Sequence, residues 1–403
     1  MQKTGHTLGW IFCALVGGTC LGLFFPQFSV KLSPISSWIL QLIKAAATPL
    51  VFLAIVEAIL RFRVSGRDFI KLFCITSLNA SLAVAVGLLV ANFFKPGQYI
   101  KFLGADTKAV LERVDLLGAL GKQLPSSIIQ PFAENNIMPI VLIAIAFSCA
   151  WRQAKHRHMA DLPLIETWES WVSFARTISE TVLIWIVRLV PGAVFVSSAK
   201  LSAEHGLQPF KGLGHYVALC LLGMAIHLVF VYGAWILLYI RMSLARFWRA
   251  AFKPAFYAFS VNSSLVALPL TLGALDDLGV SRRASTLAAC VGTNLNNDGI
   301  ILYEGFTLLA LAQASGMDMS VPMQIFAALY CIIAAMGVAG VPEAGVVALT
   351  LVLTSLKLPI ESLAVLLSVD WIIARARSLL NTSSDMVSSL ILDRWIKKSS
   401  QNS

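Results

Sequence analysis

Gly292-Thr-Asn-Leu-Asn-Asn-Asp-Gly299 interrupts a long apolar stretch, and Asn294, Asn296, Asn297 and Asp298 crowd five positions of it. Asparagine is a poor helix former and glycine a worse one. A helix is therefore predicted to unwind here, exposing backbone carbonyls beside amide and carboxylate oxygens. Hard oxygens of this kind suit an alkali cation. The alternative reading is a loop between two short helices at a membrane surface. A second constellation closes the chain: Asp370, Arg375, Arg377, Ser378, Asn381 and Asp385, again among apolar residues. At about 100° per helical residue, Asp370, Ala374, Arg377, Asn381 and Asp385 fall within an arc of roughly 80°. One helix face thus carries a guanidinium flanked by cation-liganding groups, and Arg377 can grip a carboxylate with both nitrogens. Its alternative is an internal ion pair with Asp370 or Asp385. Arg375 points roughly 160° away from Arg377, which predicts a snorkelling or separately paired residue.

Two further clusters have the letters of a hairpin tip. Gly337-Val-Ala-Gly-Val-Pro-Glu-Ala-Gly345 sets three glycines and a proline among apolar residues. Its free N–H groups could cradle an anion. Asn262-Ser263-Ser264, followed by Leu268-Pro269, is the second such tip. A flexible loop gives the same letters in either place.

The elements that must hold these groups belong to a membrane protein. Of 403 residues, 58% are hydrophobic and only 13% charged; the mean hydropathy is +0.78. A soluble domain keeps about a quarter of its residues charged. Apolar runs recur at Trp10–Phe25, Ser37–Leu60, Leu72–Phe94, Ile137–Ala150, Val182–Val196 and Tyr216–Ile240. A bilayer core takes about 20 helical residues. The first run lacks a small-residue cleavage signature, so it is read as a membrane helix. The net charge of +10 comes in short blocks between the runs: Arg61 to Lys71, Arg152 to Arg157, Arg241 to Lys253, Arg282 with Arg283, and Arg394 to Lys398. The positive-inside rule accounts for this pattern better than nucleic acid does, with both termini cytoplasmic. The longest polar stretch, Lys95–Asn136, is read as a loop with a short helix near Val110–Leu120. All seven cysteines lie in apolar segments without metal-ligand spacing and are read as small buried hydrophobes.

The pattern changes near residue 250. Six simple helices are predicted before it (1–250). After it (251–403), two broken apolar segments, 253–275 and 325–357, are each followed by a longer polar-bearing helix, 284–313 and 361–393. Non-helical backbone at membrane depth survives only where protein buries it or where it lines a cavity. Paired interruptions are the sequence mark of a transporter's binding site.

Taken together these residues resemble the dicarboxylate/amino acid:cation symporter family, the glutamate-transporter family. The resemblance covers essentially the whole chain. Asn296-Asn297-Asp298-Gly299 and Leu302-Tyr303-Glu304-Gly305 are similar to the family's seventh-helix motif, Gly337–Gly345 to its second hairpin, and Asp370…Arg377-Ser378…Asn381…Asp385 to its eighth helix. Phe94-Lys95-Pro96-Gly97 and Pro131-Phe132…Asn136 match landmarks of the first half. The resemblance implies an all-α polytopic fold of eight transmembrane helices and two re-entrant helical hairpins. It also implies a homotrimer with an N-terminal scaffold and a mobile C-terminal transport unit. Gly292, Asn296, Asn381 and Asp385 match one sodium site, and Asp298 with Asn296 matches part of another. Arg377 matches the arginine that holds a substrate carboxylate, within a pocket that includes Ala374, Ser378 and Asn381. Ser264, Val341, Pro342 and Gly345 match backbone contacts to substrate. Glu304 lies where animal members carry a proton-accepting glutamate.

The departures redirect the expectation. The family's amino-group-binding aspartate falls on Ala374, its nearby threonine on Ile300 and its motif methionine on Asn297. The first hairpin's serine-rich run is thinned to Asn262-Ser263-Ser264. The third helix's Thr-Ser pair falls on Asn79-Ala80. A remaining sodium site built mostly of carbonyls spans Ala335 and Val338. Glu343 replaces a hairpin-tip glycine, with Arg375 as its candidate partner. The expectation is a cation-coupled symporter of a bacterial inner membrane for a small carboxylate. A dicarboxylate is favoured over an acidic or neutral amino acid. Sodium ions, protons or both drive it, and there is no cofactor. The rival reading is a relative with decayed coupling that acts as a sensor or channel. A membrane enzyme has no support, since the sequence offers no nucleophile–base pair, metal cluster or phosphate loop. His156 and His158 are read as solvated, and His227 as a helix-packing residue.

Overall fold

The computed structural model describes residues 3–32, 34–61, 66–100, 127–135, 137–157, 162–337, 344–355 and 361–401. The predicted helix near Val110–Leu120 and the tip residues Val341, Pro342 and Glu343 lie outside them. The described chain is helical, with no strand. Helices α1 (Lys3–Phe24), α2 (Pro26–Leu32), α3 (Pro34–Arg61) and α4 (Gly66–Phe94) come first. They are followed by α5 (Ile137–Arg157), α6 (Leu162–Val187) and α7 (Val190–His205). Helix α8 runs over 208–240. Pro26–Glu57, Ile70–Phe94, Thr167–Glu204 and Phe210–Ile240 are long and apolar enough to cross a membrane. Trp38, Trp171, Trp185, Leu238 and Phe252 point outward. Water tolerates such a surface poorly, whereas lipid accepts it. The Val182–Val196 run is not one helix: a turn at Arg188–Leu189 precedes Pro191, which opens α7.

Helix α9 (Leu244–Val261) ends on Asn262 in the left-handed region (φ 53°). Asparagine tolerates that region and so ends helices there. Ser263 then caps α10 (Ser264–Asp277), its hydroxyl accepting from Val266 N, as N-cap serines do. The two residues reverse the chain, and α9 and α10 pack against each other. Residues 286–291 form a wide π turn and Gly292–Asn294 a tight 3-10 turn. Helix α11 (Asp298–Ala314) follows, buried on every side except at Gln313. A helix apolar all round belongs inside a bundle. Helices α12 (Val321–Gly337) and α13 (Ala344–Ser355) are the arms of the second broken segment. The last helix, α14 (Glu361–Gln401), is 41 residues long.

The core around α11 and α14 recruits earlier elements as well. Helix α4 packs along α11, and α8 against α14. On the other side α1 packs on α7, and α3 on α5 and α6. Arg176 of α6 reaches Glu57 of α3 (3.2 Å) and Glu180 (3.2 Å).

Gln313 shows how the core is pinned. Its amide donates to Ala91 O at the end of α4 (2.9 Å), and its carbonyl accepts from Gly97 N in the following turn (3.1 Å). Replacing Gln313 by leucine is expected to strand both backbone groups and cost about 1–3 kcal/mol. This would read as a lower melting temperature in detergent. Unchanged melting would show that the clip does not hold the turn.

Candidate functional site

Two turns of α14 separate Asp370 from Arg377, so both side chains lie on one face. The pair is bidentate: Nη1 to Oδ1 at 2.7 Å and Nη2 to Oδ2 at 2.8 Å. Of the two partners left open by the sequence, the fold selects Asp370. The guanidinium also lies 4.3 Å from the ring centroid of Tyr303 on α11, a cation–π arrangement. Gly345, in the first turn of α13, closes over it: a Cβ there would sit 2.7 Å from Arg377 Cζ. Arg377 is thus walled by a carboxylate, an aromatic face and the start of a helix. Arg375 does turn away, donating to Trp371 O (2.9 Å) with its guanidinium 6.0 Å from that ring.

The next turns of α14 meet the unwound segment. Asn381 Oδ1 accepts from Gly299 N at 2.8 Å. Gly299 must be glycine for this approach, since a Cβ would lie 2.7 Å from Arg377 O. Asp385 accepts from Thr293 Oγ1 (2.9 Å) and Asn296 Nδ2 (3.2 Å). Asp298, fully buried, accepts from Tyr232 OH through Oδ2 (2.8 Å). The Ser384 hydroxyl lies 2.6 Å from that oxygen and 3.0 Å from Asn296 Oδ1. With one proton to give, it serves the shorter contact. Asp298 Oδ1 has no hydrogen-bond partner among the described residues. His227 Nε2 lies 3.6 Å from Asp298 Oδ2, and the imidazole stands edge-on to Tyr232.

The electrostatic balance decides what this network can hold. Asp298 and Asp385 are buried in one polar cluster with Asn296 and Ser384 between them, and among the described residues neither pairs with a lysine or arginine. Buried charges are paired or coordinate metals. Two carboxylates, the amides of Asn296 and Asn381 and one unbonded carboxylate oxygen make an oxygen-rich, anionic site. These ligands are carboxylate and amide oxygens, hard donors rather than thiolates. The donors fit an alkali cation.

The remaining expected residues are distributed as follows. Ser378 Oγ lies 3.2 Å from Asn262 Oδ1 and 3.1 Å from Ala374 O, tying the first hairpin's tip to α14. Ser264 opens α10 beside that tip. Ala374 and Ile300 are buried. Asn297 Nδ2 donates to Ala335 O (3.1 Å). Asn79 Nδ2 reaches Ser388 Oγ (3.2 Å). Glu304 is fully buried, and its two carboxylate oxygens have no hydrogen-bond partner among the described residues. Three neighbours of the expected residues were not singled out by sequence: Thr293, Tyr232 and Ser384. Ser384 was legible in principle, because Asn381, Ser384, Asp385 and Ser388 follow the i, i+3, i+4, i+7 spacing of one face. Tyr232 carried no local signal, being one of three phenols in an apolar helix.

The sodium:dicarboxylate symporter family matches residues 8–395. The chain is 26% identical over 397 residues to a C4-dicarboxylate transport protein of Anaeromyxobacter sp. (strain K), covering 96% of this chain and 88% of that protein. The same figures hold for proteins of that description from two strains of Anaeromyxobacter dehalogenans, 2CP-1 and 2CP-C.

Tyr232→Phe removes one of the two donors to Asp298 Oδ2. The expected loss is about 1.5–3 kcal/mol, the range for a hydrogen bond to a charged group. It should appear as a lower melting temperature in sodium-free buffer. Melting unchanged from wild type would mean that Asp298 does not depend on the phenol.

Proposed function

The chain belongs to the sodium:dicarboxylate symporter family, and from that premise we propose that it is a membrane symporter carrying a small dicarboxylate together with sodium. The observation that carries this reading is one helix. Over two turns of α14 a carboxylate-gripping arginine gives way to Asp385, a buried carboxylate that has no lysine or arginine partner among the described residues and lies in one polar cluster with Asp298 of α11. Its relatives named as C4-dicarboxylate transport proteins point to substrates of the succinate and malate class. Ala374 agrees, since the pocket offers no carboxylate there to neutralise an ammonium.

In this reading a substrate carboxylate replaces Asp370 on the Arg377 fork. The exchange keeps the guanidinium paired, while the released Asp370 carboxylate must in turn be neutralised by a proton or a cation. Ser378, Asn262 and the hairpin tips at Ser264 and at Val341, Pro342 and Gly345 surround the rest of the substrate. Sodium is held by the Gly292 carbonyl, Asn296, Asn381 and Asp385, with Asp298 contributing to a neighbouring position. Asn381 lies one turn beyond Arg377 and bonds Gly299 N. Cation and substrate therefore bias the same turn of helix, and coupling of this kind is reciprocal. The Asn297 amide already engages Ala335 O. A cation at that carbonyl would have to compete with it, which argues for fewer sodium ions per cycle than the number of family positions.

The architecture that goes with this function is eight transmembrane helices and two re-entrant hairpins, α9–α10 and α12–α13. The unit after residue 250 moves against an N-terminal scaffold, giving alternating access. The exposed aromatic face of α6 at Trp168, Trp171 and Trp185 is the surface offered for a homotrimer. The protein sits in a bacterial inner membrane with both termini inside.

A thermal-shift series tests the substrate. Succinate or malate with sodium should stabilise the protein, by about 2.7 kcal/mol at a hundredfold excess over Kd. Either should exceed aspartate, and Arg377→Ala should remove the response. A larger shift with aspartate would overturn the dicarboxylate assignment, and binding without concentrative uptake in proteoliposomes would mark a sensor or channel. Glu304 sets a separate test of proton coupling. Uptake under a proton gradient at equal sodium should fall to background in Glu304→Gln. Uptake that is driven fully by sodium at equal pH and ignores this substitution would remove protons from the cycle.

A further inference from the structure

A groove of about 230 Å³ opens on the outer surface between α4, α8 and α14. Cys74 and Leu78 of α4, Trp235 and Tyr239 of α8, and Ile391 and Trp395 of α14 line it. The wide π turn at Trp235–Ile240 shapes one wall, where the Trp235 and Tyr239 rings meet edge to face at 5.7 Å. Phe73, Leu237 and Leu238 project from the same helices with large exposed areas, so the groove is bordered by lipid-facing surface.

One end of the groove is cationic. Lys398 Nζ lies 5.9 Å from the Tyr239 ring centroid. Arg394 donates to Ile240 O at 2.6 Å, holding its guanidinium at the end of α8. The acids of this region are already engaged. Asp393 takes Lys397 (2.6 Å) and Ser281 N (3.1 Å); Asp68 takes Lys71 (3.8 Å) and Arg283. Among the described residues Arg394 and Lys398 make no ion pair. An apolar slot with indole and phenol rings at its rim and uncompensated cations at its mouth has the polarity of one lipid tail and its headgroup.

We propose that this groove holds one acyl chain of an anionic phospholipid, with the phosphate at Lys398 and Arg394. Charge complementarity selects an anionic headgroup over a zwitterionic one, and the apolar slot selects a lipid over a free anion. The site is separate from Arg377 and the Asp298–Asp385 network, although it shares α14 with both. Occupancy would brace α4, α8 and α14 together on their membrane face.

Native mass spectrometry of the detergent-purified full-length protein, offered equimolar phosphatidylglycerol and phosphatidylcholine, tests the site. Wild type should retain phosphatidylglycerol several-fold over phosphatidylcholine. Lys398→Gln should cut that preference about fivefold, the effect of one lysine beside an anionic headgroup. Cys74→Trp, which fills the slot, should lower retention of both lipids. Equal retention of the two lipids by wild type would overturn the proposal. So would undiminished phosphatidylglycerol preference in Lys398→Gln, a surface change that leaves the fold intact and decides the question even where Cys74→Trp fails to fold. Stabilisation by inorganic phosphate equal to that by phosphatidylglycerol would instead mark a bare anion site and would also overturn it.

Discussion

The bidentate pair between Asp370 and Arg377 sets the terms for the rest of the second half. A guanidinium buried this completely must keep a partner, and the fold supplies one from its own helix, two turns away. Once that helix carries both charges on one face, its neighbours are constrained. Helix α11 brings Tyr303 under the cation, and α13 can approach only because Gly345 has no side chain. The same face then continues into Asn381 and Asp385, so whatever fixes Arg377 also fixes the register of the carboxylate network.

The second constraint is polar satisfaction without water. Where α11 begins, groups of the unwound segment and the helix's first turn find partners on α14: the Thr293 hydroxyl and the Asn296 side-chain amide bond Asp385, and Gly299 N bonds Asn381. Buried hydroxyls of α14 bond back to their own helix, as Thr382 does to Ser378 O and Ser389 to Asp385 O. Back-bonding of this kind lets serine and threonine sit in a buried helix without stranded protons. It explains how so polar a helix packs inside the bundle.

Much of this was legible in the sequence because it is local. The i, i+4, i+7 spacing of Asp370, Ala374 and Arg377 fixes a face whatever surrounds it. The Asn-Ser reversal at residues 262–263 and the break at Gly292–Gly299 follow from residue chemistry alone. What the sequence did not yield is contact between distant elements. The bond from Tyr232 to Asp298 joins residues 66 positions apart, and no periodicity in α8 marks that phenol. The choice between Asp370 and Asp385 as the partner of Arg377 was also open. It was settled by Thr293 and Asn296 occupying Asp385. The break within Val182–Val196 was missed because hydropathy does not register a turn that stays apolar.

The pairing of Arg377 also bears on how a transporter of this kind would choose its cargo. A site that holds an arginine already neutralised does not attract anions by net charge, and it must exchange one carboxylate for another. Exchange at the fork alone gives little discrimination, since every carboxylate presents the same two oxygens. On the proposed reading, selectivity must come from what lies beyond the fork. Ala374 withdraws the negative charge that would favour an ammonium group, and Asn262 and Ser378 offer hydrogen bonds at the first hairpin's tip. The specificity of the pocket is then set by the far end of the substrate, and Arg377 serves to orient it.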